Sequence, residues 1–412
     1  MDETKRFVTG LDVGTENVRA VIASINRNGE LAVVGYNESK TAGMRKGVPA
    51  NLTGPAESID RMLGEAERMG GYEVRDAYVS INGSQILSTK VEGMIAIGTA
   101  EHEVNGTDLD RVESVAVTGR IPNNRDVLSV VPLEYALDGQ AGIKDPIGMA
   151  GARLEMRANV VSALTPNCEN LKKATLTADV RAERLIPAVV AAARAVLSER
   201  QKENGVAVVD LGAATTSVAV YEEGDLQYVG VVPAGSNNIT NDLAIVLAID
   251  PEMAEEIKTR FITGNFGSDK GDLIRIGKEG KGERVFERKE VEEVVKARLE
   301  EIFGEIRKKL KAAKYDQRLP EGIVLTGGGA KLRDIDVFAK KALEASIKIG
   351  VPGGLGGVSE AIETPEYATA VGLALLAAED YQHDMPVSKK SGKSFKLGRK
   401  GPGLFKKIFS KF

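Results

Sequence analysis

Two segments about 200 residues apart carry the same order of local signals, and this duplication limits the possible folds more than any other feature of the chain. In the first segment Phe7 to Val13 is an apolar run and Val18 to Ile25 is a β-rich run. Asn28-Gly29 then supplies a tight turn into Leu31 to Tyr36. In the second, Val206 to Leu211 (VAVVDL) leads through a Gly/Thr turn to Ser217 to Tyr221, and Glu223-Gly224-Asp225 turns the chain into Leu226 to Val232. Both first strands end in Asp-x-Gly, as Asp12-Val13-Gly14 and as Asp210-Leu211-Gly212. Thr15 follows in one copy and Thr215-Thr216 in the other. The period is too long for a solenoid and predicts two similar lobes facing each other. A chain of 412 residues has room for both lobes and for more.

The repeated turn has a chemical use. Glycine lets the backbone approach a phosphate, and successive N–H groups can cradle its oxygens. The threonine hydroxyl adds a donor. The aspartate can hold Mg²⁺, largely through water, because Mg²⁺ sheds its hydration shell reluctantly. One such turn alone reads better as a hairpin with a capping aspartate, and two copies on matching meanders are stronger evidence than one. A third cluster, Gly327-Gly328-Gly329, lies between the buried strand Ile323 to Leu325 and a following helix, where backbone can approach a base and sugar.

Between these landmarks the periodicity predicts helices at Ala56 to Met69, near Leu109 to Val117, and over Arg181 to Arg200, an Ala-rich stretch containing Pro187. A strand is expected at Asp76 to Ile81. Further helices are expected at Asn241 to Leu247, Pro251 to Thr263, Lys289 to Lys314, Asp334 to Leu343 and Tyr367 to Glu379, with a strand pair inside Gly264 to Gly282.

Composition excludes several classes. Cys168 is the only cysteine, which removes disulfide frameworks and multi-thiolate metal sites. With only His102 and His383, a Ser-His-Asp triad or a histidine-rich metal centre is a poor expectation. The absence of tryptophan and the 5% aromatic content argue against a stacking surface for single-stranded nucleic acid. The net charge of −4 divides into +9 from Val387 to Phe412 and −13 over the rest, an acidic body with a basic tail suited to an anionic surface. The opening MDETKRFVTG has no signal-peptide pattern and no long apolar run follows, so a cytoplasmic location is expected. Residues 383–402 have the composition of a flexible basic linker. On a helix, Leu404, Phe405, Ile408, Phe409 and Phe412 share one face, while Lys406, Lys407, Ser410 and Lys411 take the other. That pattern predicts an amphipathic helix over 403–412 lying on anionic lipid.

GLDVGTENVRAVI at Gly10 to Ile22 resembles the first phosphate segment of the actin, heat-shock-chaperone and sugar-kinase superfamily. VAVVDLGAATTSVAVY at Val206 to Tyr221 resembles its second, and IVLTGGGAKL at Ile323 to Leu332 its adenosine segment. PLEYALDGQAGIKDPIGMAGARLEMRANVV at Pro132 to Val161 resembles the signature of the FtsA family of bacterial cell-division proteins. The resemblance implies an α/β, two-lobed actin-like ATPase fold with duplicated ribonuclease-H-like lobes and an inserted 1C subdomain in place of the usual 1B. The implied division is 1–83, 164–204 and 366–382 as subdomain 1A, 84–163 as 1C, 205–235 and 321–365 as 2A, and 236–320 as 2B.

The resemblance further implies ATP and Mg²⁺ as ligands, with Asp12 and Asp210 at the metal. Gly14, Thr15, Asn17, Gly212, Thr215, Thr216, Gly235, Glu255, Lys258, Gly327, Gly328 and Gly329 would complete the nucleotide site. Asn17 stands where some relatives place a phosphate-contacting lysine. Departures from the superfamily pattern at Ala213, Ala214 and Ser217, and the presence of Ile186 and Pro187 where a water-positioning Gln or Glu is expected, imply at most very slow hydrolysis. Implied partners are the C-terminal peptide of the tubulin-like protein FtsZ, through 2B with Arg298 and Glu301, a second copy in a head-to-tail filament, anionic membrane lipid and, through 1C, later division proteins. Nucleic acid is not among them. The implied role is a tether of FtsZ filaments on the inner face of the cell membrane at the division site. An actin-like pilus-assembly ATPase and a sugar-kinase-type enzyme stand as alternatives.

Overall fold

Alternating apolar residues build both lobes in the same way. The computed structural model describes residues 6–26, 29–267, 271–278 and 281–383. The first lobe opens with Arg6–Val13 (β1), Asn17–Ile25 (β2) and Leu31–Lys40 (β3), then the short ladder Met44–Arg45 (β4) with Val48–Pro49 (β5), Thr53–Gly70 (α1) and Asp76–Ile81 (β6). β1 pairs antiparallel with β2, β3 continues the meander, and β6 joins β1 in parallel. α1 docks on this sheet through Ile59, Met62, Leu63 and Ala66, a stripe at three- and four-residue spacing. Asn28 of the expected hairpin turn lies outside the described residues, while Gly29 donates its N–H to the Asn26 carbonyl at 3.0 Å.

An insertion follows: Leu87–Ala96 (β7), Gly106–Val117 (α2), Arg125–Leu137 (β8), Gln140–Ile143 (β9) and Arg153–Leu164 (β10). Its sheet runs β7-β10-β8-β9, all antiparallel. Asn105 and Asp108 form a capping box at the start of α2. Val91, Ile95, Val112, Leu154 and Met156 give the insertion a core of its own.

The chain returns through Thr165–Thr177 (α3), Arg181–Pro187 (β11), Ala188–Val196 (α4) and Glu199–Asn204 (α5). The helix expected over Arg181 to Arg200 is therefore a strand, a helix and a second short helix. Proline has no N–H for a helix interior, and the residue before it is pushed to extended backbone. The Ala-rich helix accordingly begins only after Pro187, and Arg181 to Pro187 pairs in parallel with β6 instead.

The second lobe holds Val206–Leu211 (β12), Thr216–Glu222 (β13), Asp225–Val232 (β14), Ser236–Val246 (α6), Pro251–Phe261 (α7), Leu273–Lys278 (β15), Lys281–Glu287 (β16) and Arg288–Ala312 (α8). Ile323–Thr326 (β17), Ile335–Leu343 (α9), Ile347–Ile349 (β18), Gly356–Gly357 (β19) and Ala368–His383 (α10) complete the described chain. The second sheet is ordered β14-β13-β12-β17-β18, and the first β3-β2-β1-β6-β11 with β19 added beside β3. The strand order and the parallel and antiparallel pairings repeat, so the sequence duplication is a duplication of fold. Period-two alternation lets β12 serve two cores. Val206 and Val208 face the core shared with the first lobe, and Ala207, Val209 and Leu211 face the core packed by α8.

α6 begins five residues before the expected Asn241, because the Asn238 side chain accepts the Gly235 N–H and closes the first turn. α8 buries Val291, Val295, Leu299, Ile302, Ile306 and Leu310, the stripe its sequence predicts. Among the described residues no helix is long and apolar enough to cross a membrane. The linker beyond His383 and the amphipathic segment at 403–412 lie outside the described residues.

Candidate functional site

The ends of β1, β12 and β17 open into one cleft of about 970 Å³ between the lobes. Asp12, Gly14, Thr15 and Asn17 line one wall. Asp210, Gly212 and Thr215 line the facing wall, with Gly327, Gly328 and Gly329 beside them, and Glu255 and Lys258 from α7 line it too. Twelve of the fourteen residues expected at the nucleotide therefore share this cavity, brought together from four stretches of chain.

The two Asp-x-Gly turns are built alike. Gly14 donates its N–H to the Asn17 carbonyl at 3.1 Å, and Gly212 donates to the Thr215 carbonyl at 3.0 Å. Thr15 Oγ1 accepts the Gly47 N–H at 2.9 Å. Thr216 and Gly235 do not line the cleft. One residue beyond Thr215 on a strand, Thr216 points to the opposite face, where its buried hydroxyl donates to the Ala234 carbonyl at 2.8 Å. Gly235 stands behind the second turn; a Cβ there would meet the Gly212 oxygen at 2.4 Å. That close approach lets the N–H groups of Ser236 and Asn237 hold the Gly212 and Ala213 carbonyls at 2.9 and 2.8 Å.

Asp12 is buried and Asp210 partly so. Asp12 accepts the Ser80 hydroxyl at 2.7 Å, and Ser80 in turn accepts the Val13 N–H at 2.9 Å. Burial raises the Asp12 carboxyl above its ordinary range, against the pull of Ser80 and Arg19. Burial, and then the Asp12 charge, push Asp210 up to about 7. Gly327, at φ 85°, leaves so little space that a Cβ would lie 2.2 Å from Asp210 Oδ1. Two facing carboxylates that resist ionisation suit a divalent cation, whose charge would stabilise both. Among the described residues no cluster of three His, Cys, Asp or Glu can hold a metal. Two carboxylates would leave most positions of an octahedral ion to water, which suits Mg²⁺.

Several lining residues have no motif to announce them. Arg19 is paired with Asp12 across the β1–β2 hairpin, and the matching place in the second lobe, opposite Asp210, is Ser217. Arg19 supplies a cation two residues beyond Asn17, the next position on that strand face. Hairpin register could have found it. Register could not have found Asn82, Glu16 or Asn237. Ser217 donates to Asn82 Oδ1 at 3.3 Å, and Asn237 Nδ2 donates to Glu16 Oε2 at 2.7 Å. Both bonds cross from one lobe to the other. Lys40 holds the second Glu16 oxygen at 2.6 Å. Although burial opposes the charge of Glu16, Lys40 and Asn237 together keep its carboxyl below the usual range. On α7, Lys258 is buried against Glu255 at 2.6 Å and Thr240 Oγ1 at 2.9 Å.

Ile186 and Pro187 end a strand instead of sitting in a helix, and neither lines the cleft. Arg298 and Glu301 lie apart from it on α8. Arg298 grips both Asp242 oxygens, at 2.6 and 3.0 Å, and bonds Glu301 at 2.6 Å.

The profile of the family described as "Cell division protein FtsA" matches residues 207–372, and the one described as "SHS2 domain inserted in FTSA" matches residues 83–162. The cell-division protein FtsA of Pseudomonas aeruginosa is 32% identical over 395 residues, 95% of this chain and 94% of that protein. The FtsA of Neisseria meningitidis is 30% identical, with 99% and 98% covered. Among solved structures, the PilM–PilN type IV pilus biogenesis complex aligns with a TM-score of 0.66 at 18% identity, covering 90% of this chain and 98% of that one. MreB5 of Spiroplasma citri bound to ADP aligns at 0.56 and 13% identity, covering 92% and 98%. At these identities the structural likeness is one of fold.

Proposed function

Since the chain belongs to the FtsA family of cell-division proteins and has an actin-like fold, we propose that it is a nucleotide-gated adaptor that tethers FtsZ filaments to the inner face of the cell membrane at the division site. One observation carries the nucleotide part: Asp12 and Asp210 face each other in a cleft rimmed by three glycine turns. ATP enters with its phosphates at the turns of Gly14 and Gly212 and its adenosine toward Gly327, Gly328, Gly329, Glu255 and Lys258. Mg²⁺ sits by Asp12 and Asp210. The ADP held by the fold relative MreB5 supports this reading. Turnover is very slow, because Ser217, standing where the superfamily has a carboxylate that could order water, offers only a hydroxyl, and that is engaged by Asn82.

In this reading 1–83, 164–204 and 366–382 act as subdomain 1A, 84–163 as 1C, 205–235 with 321–365 as 2A, and 236–320 as 2B. The FtsZ tail peptide docks on 2B, where Arg298 exchanges part of its pairing with Asp242 and Glu301 for peptide carboxylates. Copies join head to tail, and such a heterologous contact generates filaments. The 1C insertion recruits later division proteins. The segment 403–412 folds as an amphipathic helix on anionic lipid.

Co-sedimentation with phosphatidylglycerol vesicles, with and without Mg-ATP and an FtsZ tail peptide, tests these parts together. Wild-type protein sediments with the vesicles, binds Mg-ATP and carries the peptide down. Phe405→Glu with Phe409→Glu leaves the protein in the supernatant, and Arg298→Ala weakens peptide capture alone. Vesicle binding by the Phe variant would overturn the anchor, and undiminished capture by Arg298→Ala would remove that residue from the peptide site.

A further inference from the structure

A second concavity, of about 770 Å³, lies where the inserted sheet meets the second lobe. Its floor carries Lys90 and Glu92 of β7, which alternate with buried Val91 and Gly93, with Arg157 of β10 paired opposite Glu92. Gln227 and Tyr228 of β14 form one wall, and residues 312–315 at the end of α8 form another. Arg120 and Lys314 also line it. At one end the insertion is fastened to the lobe: Ser88 donates to Asn159 at 2.6 Å, Asn159 donates to the Leu226 carbonyl at 2.9 Å, and Lys90 Nζ donates to Gln227 Oε1 at 2.8 Å.

From this geometry we infer that the groove binds an extended acidic peptide segment of a partner protein, clasping the insertion to the second lobe. The described lining residues contribute the four cations Lys90, Arg120, Arg157 and Lys314 against the one carboxylate Glu92; beside the groove, Glu134 pairs with Arg157 at 3.0 Å, and the charges of Glu222 and Asp225 reach Lys90. The cations come from four separate stretches of chain. Donors converging on one point would suit a compact anion, whereas cations spread along an open groove with Tyr228 and Tyr315 suit carboxylates alternating along a chain. Desolvation, and then the Arg157 charge, hold the Lys90 ammonium down to about 8 against the pull of Glu222 and Asp225, so a further carboxylate bound in the groove would stabilise its charged form. The chain's own tail is not the occupant, because residues 387–412 carry +9 and share the groove's sign. The inference is independent of the nucleotide reading, since none of these residues lines the interlobe cleft.

Fluorescence anisotropy of full-length protein tests it, with a labelled decapeptide of alternating glutamate and alanine as the probe. The expected result is binding at least tenfold tighter than for the lysine–alanine counterpart, weakening as salt rises. Lys90→Glu with Arg157→Glu should reduce affinity at least tenfold, while Lys90→Arg retains it. The urea midpoint of each variant, read alongside, separates loss of the groove from loss of the fold. Equal affinity of wild type and a folded double variant would overturn the inference. Displacement of the peptide by inorganic triphosphate at a tenth of the peptide's own dissociation constant would also overturn it, and would assign the groove to a small anion.

Discussion

Asp210 sits where burial and the Asp12 charge both oppose ionisation, and its folded-state pKa of about 7 stands well above the ordinary 3.8. The folded protein therefore keeps a proton that the unfolded chain releases between those values. Without a divalent cation, the contribution of Asp210 to stability falls as pH rises from about 4 to about 7 and levels off above. Added Mg²⁺ should raise the urea midpoint at pH 8 and flatten the profile. Asp210→Asn should raise the midpoint at pH 8 without Mg²⁺ and abolish the Mg²⁺ response. A midpoint of the wild-type protein indifferent to Mg²⁺ would contradict the assignment of the two carboxylates. Gly327 tests the same contact by size. A methyl group at 2.2 Å from Asp210 Oδ1, on a residue at φ 85°, has to displace the carboxylate. Gly327→Ala should cost about 1–3 kcal/mol by denaturant titration, the range of a strained backbone position. It should also weaken Mg-ATP binding at least tenfold.

At the level of elements, two hydrogen bonds between loops and strand ends help to join the walls of the cleft, beside the Lys331–Glu366 ion pair at 2.6 Å. Asn237, at the start of α6, reaches Glu16 in the first turn, and Ser217 on β13 reaches Asn82 just beyond β6. A net hydrogen bond of this kind contributes about 0.5–1.5 kcal/mol. Asn237→Ala and Asn82→Ala should each lower stability by about that much. Hydrogen exchange should show faster opening at residues 14–17 and at the first turn of α6, with the sheet cores unchanged. Protection at both places equal to wild type would show that the lobes are held elsewhere. The element ends also show where local rules compete. Pro187 converts the first part of an Ala-rich run into a strand, and Gly235 with Asn238 starts a helix earlier than its apolar pattern does.

For the whole molecule, two lobes of one topology flank a cavity lined by a carboxylate from each. A ligand that binds only the folded state at a hundred times its dissociation constant adds about 2.7 kcal/mol of stability. Saturating Mg-ATP should accordingly raise the unfolding midpoint, and small-angle scattering should record a smaller radius of gyration as the lobes close. No change in either quantity would remove the cleft from consideration as the nucleotide site.

The duplicated turns, the placement of most strands and helices, and the opposed charge of body and tail were determined by the amino-acid sequence alone. Each depends on neighbours within a few residues: a glycine where the chain must turn, an apolar residue every second or every third and fourth place. Which side chains meet was decided only by the tertiary structure. The packing of β13 turned Thr216 away from the cleft while its neighbour Thr215 lines it. The parallel pairing of β6 with β1 brought in Ser80, and the facing of the lobes brought Glu16 to Asn237 across 221 positions of sequence. A local pattern encodes the shape of a segment. The company a side chain keeps depends on which segments pack against its own, and that choice is made by burial over the whole chain.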